Sequence, residues 1–399
     1  MRILVLTNKL PYPPFDGGSI ATLNMITGLR DAGNQVTCLS LNTSKHPFPV
    51  YEIPEPLSGS IRFIGIDCDC SIRPIQMLFN LLFSGKPYIA ERFHIREYRM
   101  RLMQLLQTED FDLVQLEGPY MGHYLDTIRK WSKSPVSLRA HNVEHLIWKR
   151  KAENETNFLK RWYLGNMAAR LERFEKQVAR ETDCLVAISP IDETYFRNEG
   201  YDGATITIPT GISLEQYPAT PLPETPTLFF IGALDWLPNQ EAISWFLDNV
   251  FERLVAAIPH LEFHIAGRNA PEQFIRSLRH QRITYHGEVE DAKAFMSSYR
   301  VMVAPLLTGS GIRIKILEGM ALGRPVVTTT IGMEGIPAEN NRDLLAGDEP
   351  DLFKDHVVKL INSNQEAIRM TAAARQLIKE NFDTFGLSTR LSQFFMEQV

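Results

Sequence analysis

Cysteine is scarce. The four residues Cys38, Cys68, Cys70 and Cys184 include no C-x-x-C pair and one close pair, Cys68-x-Cys70, too few for a zinc cage without histidine. Reduced thiols in a cytoplasm are the reading that fits. No run of about 18 apolar residues occurs, so no helix is expected to span a membrane, and only surface attachment stays open. Positive charge is not in excess: 42 Lys and Arg against 47 Asp and Glu give −5, so nothing in the balance calls for nucleic acid as a partner. The G-x-G-x-x-G fingerprint is missing, which disfavours NAD, and neither a repeat nor a low-complexity tract is visible. The opening Met1-Arg-Ile-Leu-Val-Leu-Thr7 meets Asn8 and Lys9 with no small-residue cleavage site after it, and reads as a buried strand.

What is present is an ordinary globular composition, 44% hydrophobic and 22% charged, in 399 residues, enough for two folded domains. Short apolar runs alternate with stretches of helical period throughout, the pattern of βα units and parallel sheets covered on both faces. Strands are expected at 2–6, 35–41, 61–66, 111–117, 136–140, 184–189 and 204–208, with helices at 19–32, 120–133 and a single long 144–181. Tyr217-Pro-Ala-Thr-Pro-Leu-Pro-Glu-Thr-Pro226 packs four prolines into ten positions, which suits neither a helix nor a central strand. Residues 217–226 are therefore expected to be a hinge between an N-terminal domain, 1–216, and a C-terminal one, 227–383. Beyond it strands are expected at 227–233, 261–266, 283–286, 301–305 and 326–329. In doubly wound sheets ligands sit beyond the carboxyl ends of strands, so the loops there hold the candidates.

The first such loop ends in Gly17-Gly18-Ser19, opening a helix. Two glycines there let backbone N–H groups approach a phosphate or carboxylate, and the same residues also suit a tight turn with Ser19 as N-cap. The strand at 136–140 leads into His141-Asn-Val-Glu-His145, where His141 reads as structural or as a functional group at a strand end, and His145 one turn later invites a metal pair that nothing else supports. The richest stretch is Pro305-Leu-Leu-Thr-Gly-Ser-Gly-Ile-Arg-Ile-Lys-Ile-Leu-Glu-Gly-Met-Ala-Leu-Gly-Arg-Pro-Val-Val327. Gly309, Ser310, Gly311 and Ile312 form a nest opening a helix, Arg313 and Lys315 bring the charge a diphosphate requires, and Glu318 is placed either to hold a ribose diol or as a solvated helix residue.

The early Gly-Gly loop, the His after a mid-chain strand, the Pro-rich stretch, and G-S-G-x-R-x-K-x-L-E-x-M-A-x-G-x-P-V-V followed by Gly332-Met-Glu-Gly-Ile336 together resemble the family 4 retaining glycosyltransferases of the GT-B fold. The resemblance covers essentially the whole chain. It implies an α/β protein of two Rossmann-like domains facing each other across a cleft, the first binding the acceptor and the second a nucleotide-sugar donor, with a C-terminal helix at 384–399 crossing back onto the first. It implies Glu318 on the ribose, Gly17 and Gly18 closing over diphosphate and sugar, His141 beside donor sugar and acceptor, and the backbone of Gly287, Glu288 and Val289 facing the base. His141, Gly18 and Ser310 are the expected catalytic set.

Two departures stand out. Ser310 occupies the place of the first Glu of the family's E-x7-E motif, and Ala233 and Asn239 stand where many members carry an Arg and a Lys for the diphosphate, a role then expected of Arg313 and Lys315. The resemblance implies neither cofactor nor metal. Asp67-Cys68-Asp69 matches a D-x-D spacing by chance, and its carboxylates are expected to be ordinary loop groups. The implied reaction is transfer of a hexose-type sugar, with retention, to a hydroxyl of a glycan or lipid-linked acceptor in cell-surface polysaccharide or glycoconjugate assembly. A nucleotide-sugar epimerase and a silent nucleotide-sugar-binding protein are the alternatives. The apolar Ile75–Phe83 stretch, with Lys86, the basic run 92–101 and the cations at 149–151 and 160–161, reads either as a contact with the inner face of an anionic membrane or as a buried helix with a solvated face.

Overall fold

The structure, a computed structural model, describes residues 1–14, 16–308 and 311–399. They form two compact units, Met1–Gly211 together with Thr384–Val399, and Ile212–Asp383.

The first unit is built on seven strands, β1 (Arg2–Thr7), β2 (Gln35–Thr43), β3 (Arg62–Cys68), β4 (Leu113–Glu117), β5 (Val136–Ala140), β6 (Cys184–Ala187) and β7 (Ala204–Thr207), in the order β3-β2-β1-β4-β5-β6-β7. Every pairing is parallel. The central strands are buried on both faces, which is why they read as unbroken apolar runs and not as alternating ones. The order turns round between β1 and β4, so their loops diverge and open a crevice at the carboxyl edge. Helices α1 (Gly17–Asp31), α2 (Pro74–Phe83), α3 (Arg96–Thr108), α4 (Glu144–Glu153) and α5 (Phe158–Glu181) belong to this unit, and so does α8 (Thr384–Met396), the last helix of the chain. On α1, Gly28 touches α8 so closely that a Cβ would lie 2.0 Å from Ser388 Oγ and 2.8 Å from its Cβ. Leu387, Leu391 and Phe395 of α8 share a core cluster with Met25, Ile26 and Leu29. Gly28→Val is therefore expected to unseat α8 and cost about 1–3 kcal/mol, readable as a lowered melting temperature. An unchanged melting temperature would mean that α8 contributes nothing to the unit.

The second unit has β8 (Thr227–Ile231), β9 (Glu262–Ala266), β10 (Ile283–Tyr285), β11 (Val301–Ala304), β12 (Val326–Thr328) and β13 (Leu345–Ala346), in the order β10-β9-β8-β11-β12-β13. Its order turns round between β8 and β11, singling out the loops after those two strands. The first is followed by α6 (Leu237–Phe246) and the second by α7 (Ile314–Ala321).

Two expectations need correction. The chain passes between units at Gly211–Ile212, and the Pro-rich stretch expected as a hinge is strapped to the second unit. Fully buried Arg324 donates to the carbonyls of Thr220 and Pro221, Arg300 Nη1 to Pro223 O at 2.8 Å, and Arg375 Nη1 to Tyr217 O at 2.9 Å. Proline removes N–H donors but leaves carbonyls, and these arginines take them up. The single helix expected over 144–181 is two, because Asn157 leaves the helical region and caps α5 by accepting from Lys160 N at 3.1 Å.

Candidate active site

Register fixes the first unit's constellation before any side chain is placed. Thr7 pairs with Glu117 across β1 and β4, and Glu117 with Arg139 across β4 and β5, so polar residues end three adjacent strands. Gln115 and Glu117 share one face, as do Arg139 and His141 if the extended backbone continues one residue past β5. Glu117 is the hub. Its Oε2 accepts from His141 Nε2 at 2.8 Å, Thr22 Oγ1 of α1 at 2.9 Å and Arg139 Nη1 at 3.3 Å, while Gln115 Nε2 donates to Oε1. Burial alone pushes a carboxyl up. Here the charge of Arg139 first, then the electrostatic pull of His141 and the hydrogen bonds from His141 and Gln115, outweigh it and hold Glu117 at about 2, an ionised carboxylate in the core. His141 stays partly exposed at the rim. With Nε2 assigned as donor to the carboxylate, Nδ1 of a neutral ring carries the lone pair.

The Gly-Gly loop is organised differently from expectation. Asp16, not Ser19, is the N-cap of α1: Asp16 Oδ1 accepts from Ser19 N at 2.8 Å, and Ser19 Oγ accepts from Asp16 N at 3.0 Å, a reciprocal capping box. Lys9 Nζ closes on Asp16 at 2.5 and 2.8 Å. Burial would raise the Asp16 carboxyl, but Lys9 and the Ser19 donors hold it far below the ordinary range. Gly17 and Gly18 occupy the first helical positions, and a Cβ on Gly18 would meet Lys9 Nζ at 3.0 Å. The helix start thus carries its own carboxylate and ammonium.

His145 is structural. Buried Glu175 takes its Nδ1 at 2.6 Å and Tyr195 Oη its Nε2 at 2.8 Å, so it forms no metal pair with His141. Beside it, burial and the Glu175 charge push Glu144 up to about 7, against the Tyr120 hydroxyl that donates to it at 2.9 Å and the Lys9 charge. A carboxyl raised in the folded state binds protons that the unfolded chain has released between pH 4.5 and about 7, so stability falls through that window as pH rises. Glu144→Gln is expected to raise the melting temperature at pH 8 and to leave it nearly unchanged at pH 4. Equal shifts at both values would remove Glu144 as the cause. Asp69 is a loop group as expected, taken up by Arg73 and Ser71, but Asp67 lies within β3, where its carboxylate accepts from Asn42 of β2.

In the second unit the nest residues Gly309 and Ser310 lie outside the described residues. Gly311 has φ of 76°, the left-handed region that favours glycine, and Ile312 packs beside Gly335. Arg313 does not lie open as a phosphate ligand. It is buried, donates to the carbonyls of Gly311 and Ile331, and has Glu334 Oε2 at 4.0 Å, tying Gly311 to the Gly332-Met-Glu-Gly-Ile336 loop.

Lys315 behaves otherwise. Its ammonium lies 4.2 Å from the centre of the Phe230 ring and donates to Asn239 Oδ1 at 2.7 Å, while Asn239 Nδ2 donates to Ala233 O at 2.8 Å. A Cβ on Gly232 would sit 2.7 Å from Lys315 Nζ, so glycine leaves room for the ammonium at the end of β8. Burial, with Arg313 in the same direction and Glu318 opposing, pushes Lys315 down to about 7. One turn on, Glu318 Oε1 accepts from Tyr217 Oη at 2.7 Å, and burial raises its carboxyl against Tyr217, Lys293 and Lys315. Among the described residues nothing donates to Oε2. Gly287, at φ 70°, gives its carbonyl to Gly267 N at 2.8 Å. Glu288 is exposed, and Val289 packs against the core cluster that contains Leu317 of α7.

Sequence reasoning missed Glu117, Arg139 and Asn239 as site residues. A signal existed for the first two: Gln-x-Glu and Arg-x-His are polar pairs two apart at the ends of strands that are otherwise apolar. Asn239 showed only as a departure.

Residues 15–216 match the family described as Glycosyltransferase Family 4, and residues 225–363 match Glycosyl transferases group 1. The chain is 22% identical over 395 residues to a Klebsiella pneumoniae protein, "Uncharacterized 44.6 kDa protein in cps region", covering 96% of this chain and 97% of that one. Among solved structures it is similar to HepE of Anabaena in complex with UDP and glucose, with TM-score 0.68, 13% identity and full coverage of both chains. Sucrose-phosphate synthase from Thermosynechococcus elongatus gives TM-score 0.70 at 17% identity over 100% of this chain and 99% of that one. The fold is the GT-B fold of such proteins.

Proposed function

The chain belongs to Glycosyltransferase Family 4, and from that premise we propose that it moves a hexose-type sugar, with retention, from a nucleoside-diphosphate donor to a hydroxyl of a glycan or lipid-linked acceptor. The observation that carries the donor half is Lys315. A water-poor ammonium whose hydrogen-bond partner is the neutral Asn239 amide lacks an anion, and a diphosphate supplies one. Glu318 then takes the ribose hydroxyls through Oε2, and the N–H groups at the start of α7 offer dipoles to the same phosphates.

Breaking the glycosyl–phosphate bond develops charge on the departing diphosphate. Fixed cations and N–H groups placed there act on the transition state more than on the ground state. The acceptor hydroxyl attacks from the face the phosphate leaves, and the phosphate takes its proton. No metal is needed where Lys315 supplies the charge. His141, held by Glu117, orients groups at the sugar. The Klebsiella protein's cps region supports a place in surface polysaccharide assembly.

A lipid-linked acceptor is favoured by α2, which is not the buried helix that was one expectation. No helix among the described residues is long and apolar enough to cross a membrane. Yet Ile75 and Phe83 are 72% and 79% exposed, with Leu78, Phe79 and Leu82 also bare, and Arg73 and Lys86 flank them. Arg170 of α5 fixes the helix by donating to Asn80 O, Ser84 O and Leu81 O at 3.0, 2.8 and 2.8 Å. The protein is expected to float with anionic vesicles, and Leu82→Glu with Phe83→Glu to abolish flotation. Equal flotation of that variant would remove α2 as the contact.

Thermal unfolding with UDP, GDP, ADP, dTDP and their sugar conjugates, with and without EDTA, tests the donor. A ligand at a hundred times its Kd stabilises by about 2.7 kcal/mol, and each kcal/mol moves the midpoint of a chain this size by about 2–4 °C. One base should give a shift indifferent to EDTA and lost in Glu318→Ala. No shift with any of them rejects the reading. An epimerised sugar formed without acceptor would replace transfer by epimerisation.

A further inference from the structure

Away from both strand-end loops, the first unit holds a second group of side chains with the chemistry of a metal site. Glu91 ends the short helix Tyr88–Glu91, His94 follows three residues later, and His123 lies in the 3₁₀ turn after β4. One potential ligand atom from each lies within 4.8 Å of the others, and His123 Nε2 is 4.0 Å from Glu91 Oε1. The two imidazoles stack nearly parallel, centroids 5.1 Å apart.

The telling residue is His123. Its side chain is fully buried, yet neither ring nitrogen has a hydrogen-bond partner. A neutral imidazole left so forfeits a donor and an acceptor in the core, which native interiors rarely tolerate. An imidazole ligates metal through a ring nitrogen that carries no proton, and either nitrogen of His123 is free of a hydrogen bond of good geometry to serve.

We propose that Glu91, His94 and His123 bind a borderline divalent ion of the zinc class, which favours two imidazoles and one carboxylate in a tetrahedral set with a fourth position open. Ligand atoms about 2.1 Å from a tetrahedral ion lie about 3.4 Å apart, and each ring lone pair lies in its own ring plane, so the group has to contract by roughly 1 Å and the His94 ring has to turn out of its parallel stack on His123. The exposed ring of His94 and the partly exposed Glu91 carboxylate can make that movement. Arg99 now donates to His94 Nε2 at 2.8 Å and would release it if that nitrogen ligates, keeping Asp126 at 2.7 Å, Thr127 at 2.9 Å and the His123 carbonyl at 2.9 Å. The ion would staple the segment that follows α2 to the turn after β4. This site is separate from the sugar chemistry and does not rest on it.

The test uses the full chain, stripped with a chelator and titrated with Zn²⁺ and with Co²⁺ as spectroscopic probe. One equivalent of Co²⁺ should develop the intense visible absorption of a four-coordinate ion, displaced by Zn²⁺, and Zn²⁺ should raise the melting temperature. His94→Ala, exposed and expected to fold normally, should weaken binding at least tenfold and abolish that absorption, as should His123→Gln. Absence of saturable binding overturns the proposal. So does equal affinity in His94→Ala, which would put the ion elsewhere.

Discussion

Lys315→Met is expected to raise the melting temperature of the free protein while removing most of its affinity for a nucleoside diphosphate. The two effects have opposite signs for one reason. The folded chain holds Lys315 at about 7 against an ordinary 10.5, so between those values the unfolded state binds the extra proton. Stability then rises with pH through that window, and below it the full cost of burying the ammonium is present. Methionine keeps the apolar stem over Phe230 and drops the charge, a gain on the order of 2–4 kcal/mol near pH 7. With a diphosphate bound the same ammonium makes a charge-assisted hydrogen bond, and losing it costs about 2–3 kcal/mol, roughly a 30- to 150-fold rise in Kd. The wild type should also take up a proton on binding at pH 8, seen in calorimetry across buffers of different ionisation enthalpy, and the variant should not. Affinity unchanged in Lys315→Met would end the case for this residue as the phosphate ligand.

Arg313 supplies the contrast. Its guanidinium is engaged by the Gly311 and Ile331 carbonyls and by Glu334, so Arg313→Ala should lower stability and weaken the diphosphate only by loosening Gly311 from the loop around Ile331. From sequence the two cations look equivalent, two residues apart on one segment. Burial and partners separate them, and neither can be read from spacing.

The alternation of apolar runs and helical stretches placed the parallel strands because strands buried on both faces leave an unbroken signal. It could not show that Asn157 interrupts 144–181, since a local capping bond competes with helix continuation by a small margin. It read the prolines at 217–226 as a hinge because sequence shows their missing N–H groups and not the arginines, up to 158 residues away, that bind the carbonyls of this stretch. His141 was legible from its place at a strand end. Glu117, which holds it, was not, because a carboxylate that ends an apolar strand looks like the strand's polar boundary until register sets Arg139 beside it.

That carboxylate gives the last large effect. Glu117→Ala leaves the Arg139 guanidinium buried with, among the described residues, only the Ala21 carbonyl at 3.2 Å as an acceptor, an uncompensated charge expected to cost about 3–5 kcal/mol, or roughly 6–20 °C of melting temperature. His141→Ala removes one of four donors to Glu117 and leaves Arg139, Thr22 and Gln115 in place, so its stability cost should stay near 1–2 kcal/mol. Its effect belongs in turnover, a fall of about a hundredfold in kcat if the ring orients or polarises groups at the sugar. His141→Gln sharpens the distinction. Its amide can donate to Glu117 as Nε2 does, so stability should return while kcat recovers only in part, because the amide oxygen cannot occupy the Nδ1 position of the ring. Full turnover in His141→Ala would leave Glu117 and Arg139 as a purely structural pair, with the sugar held by other groups.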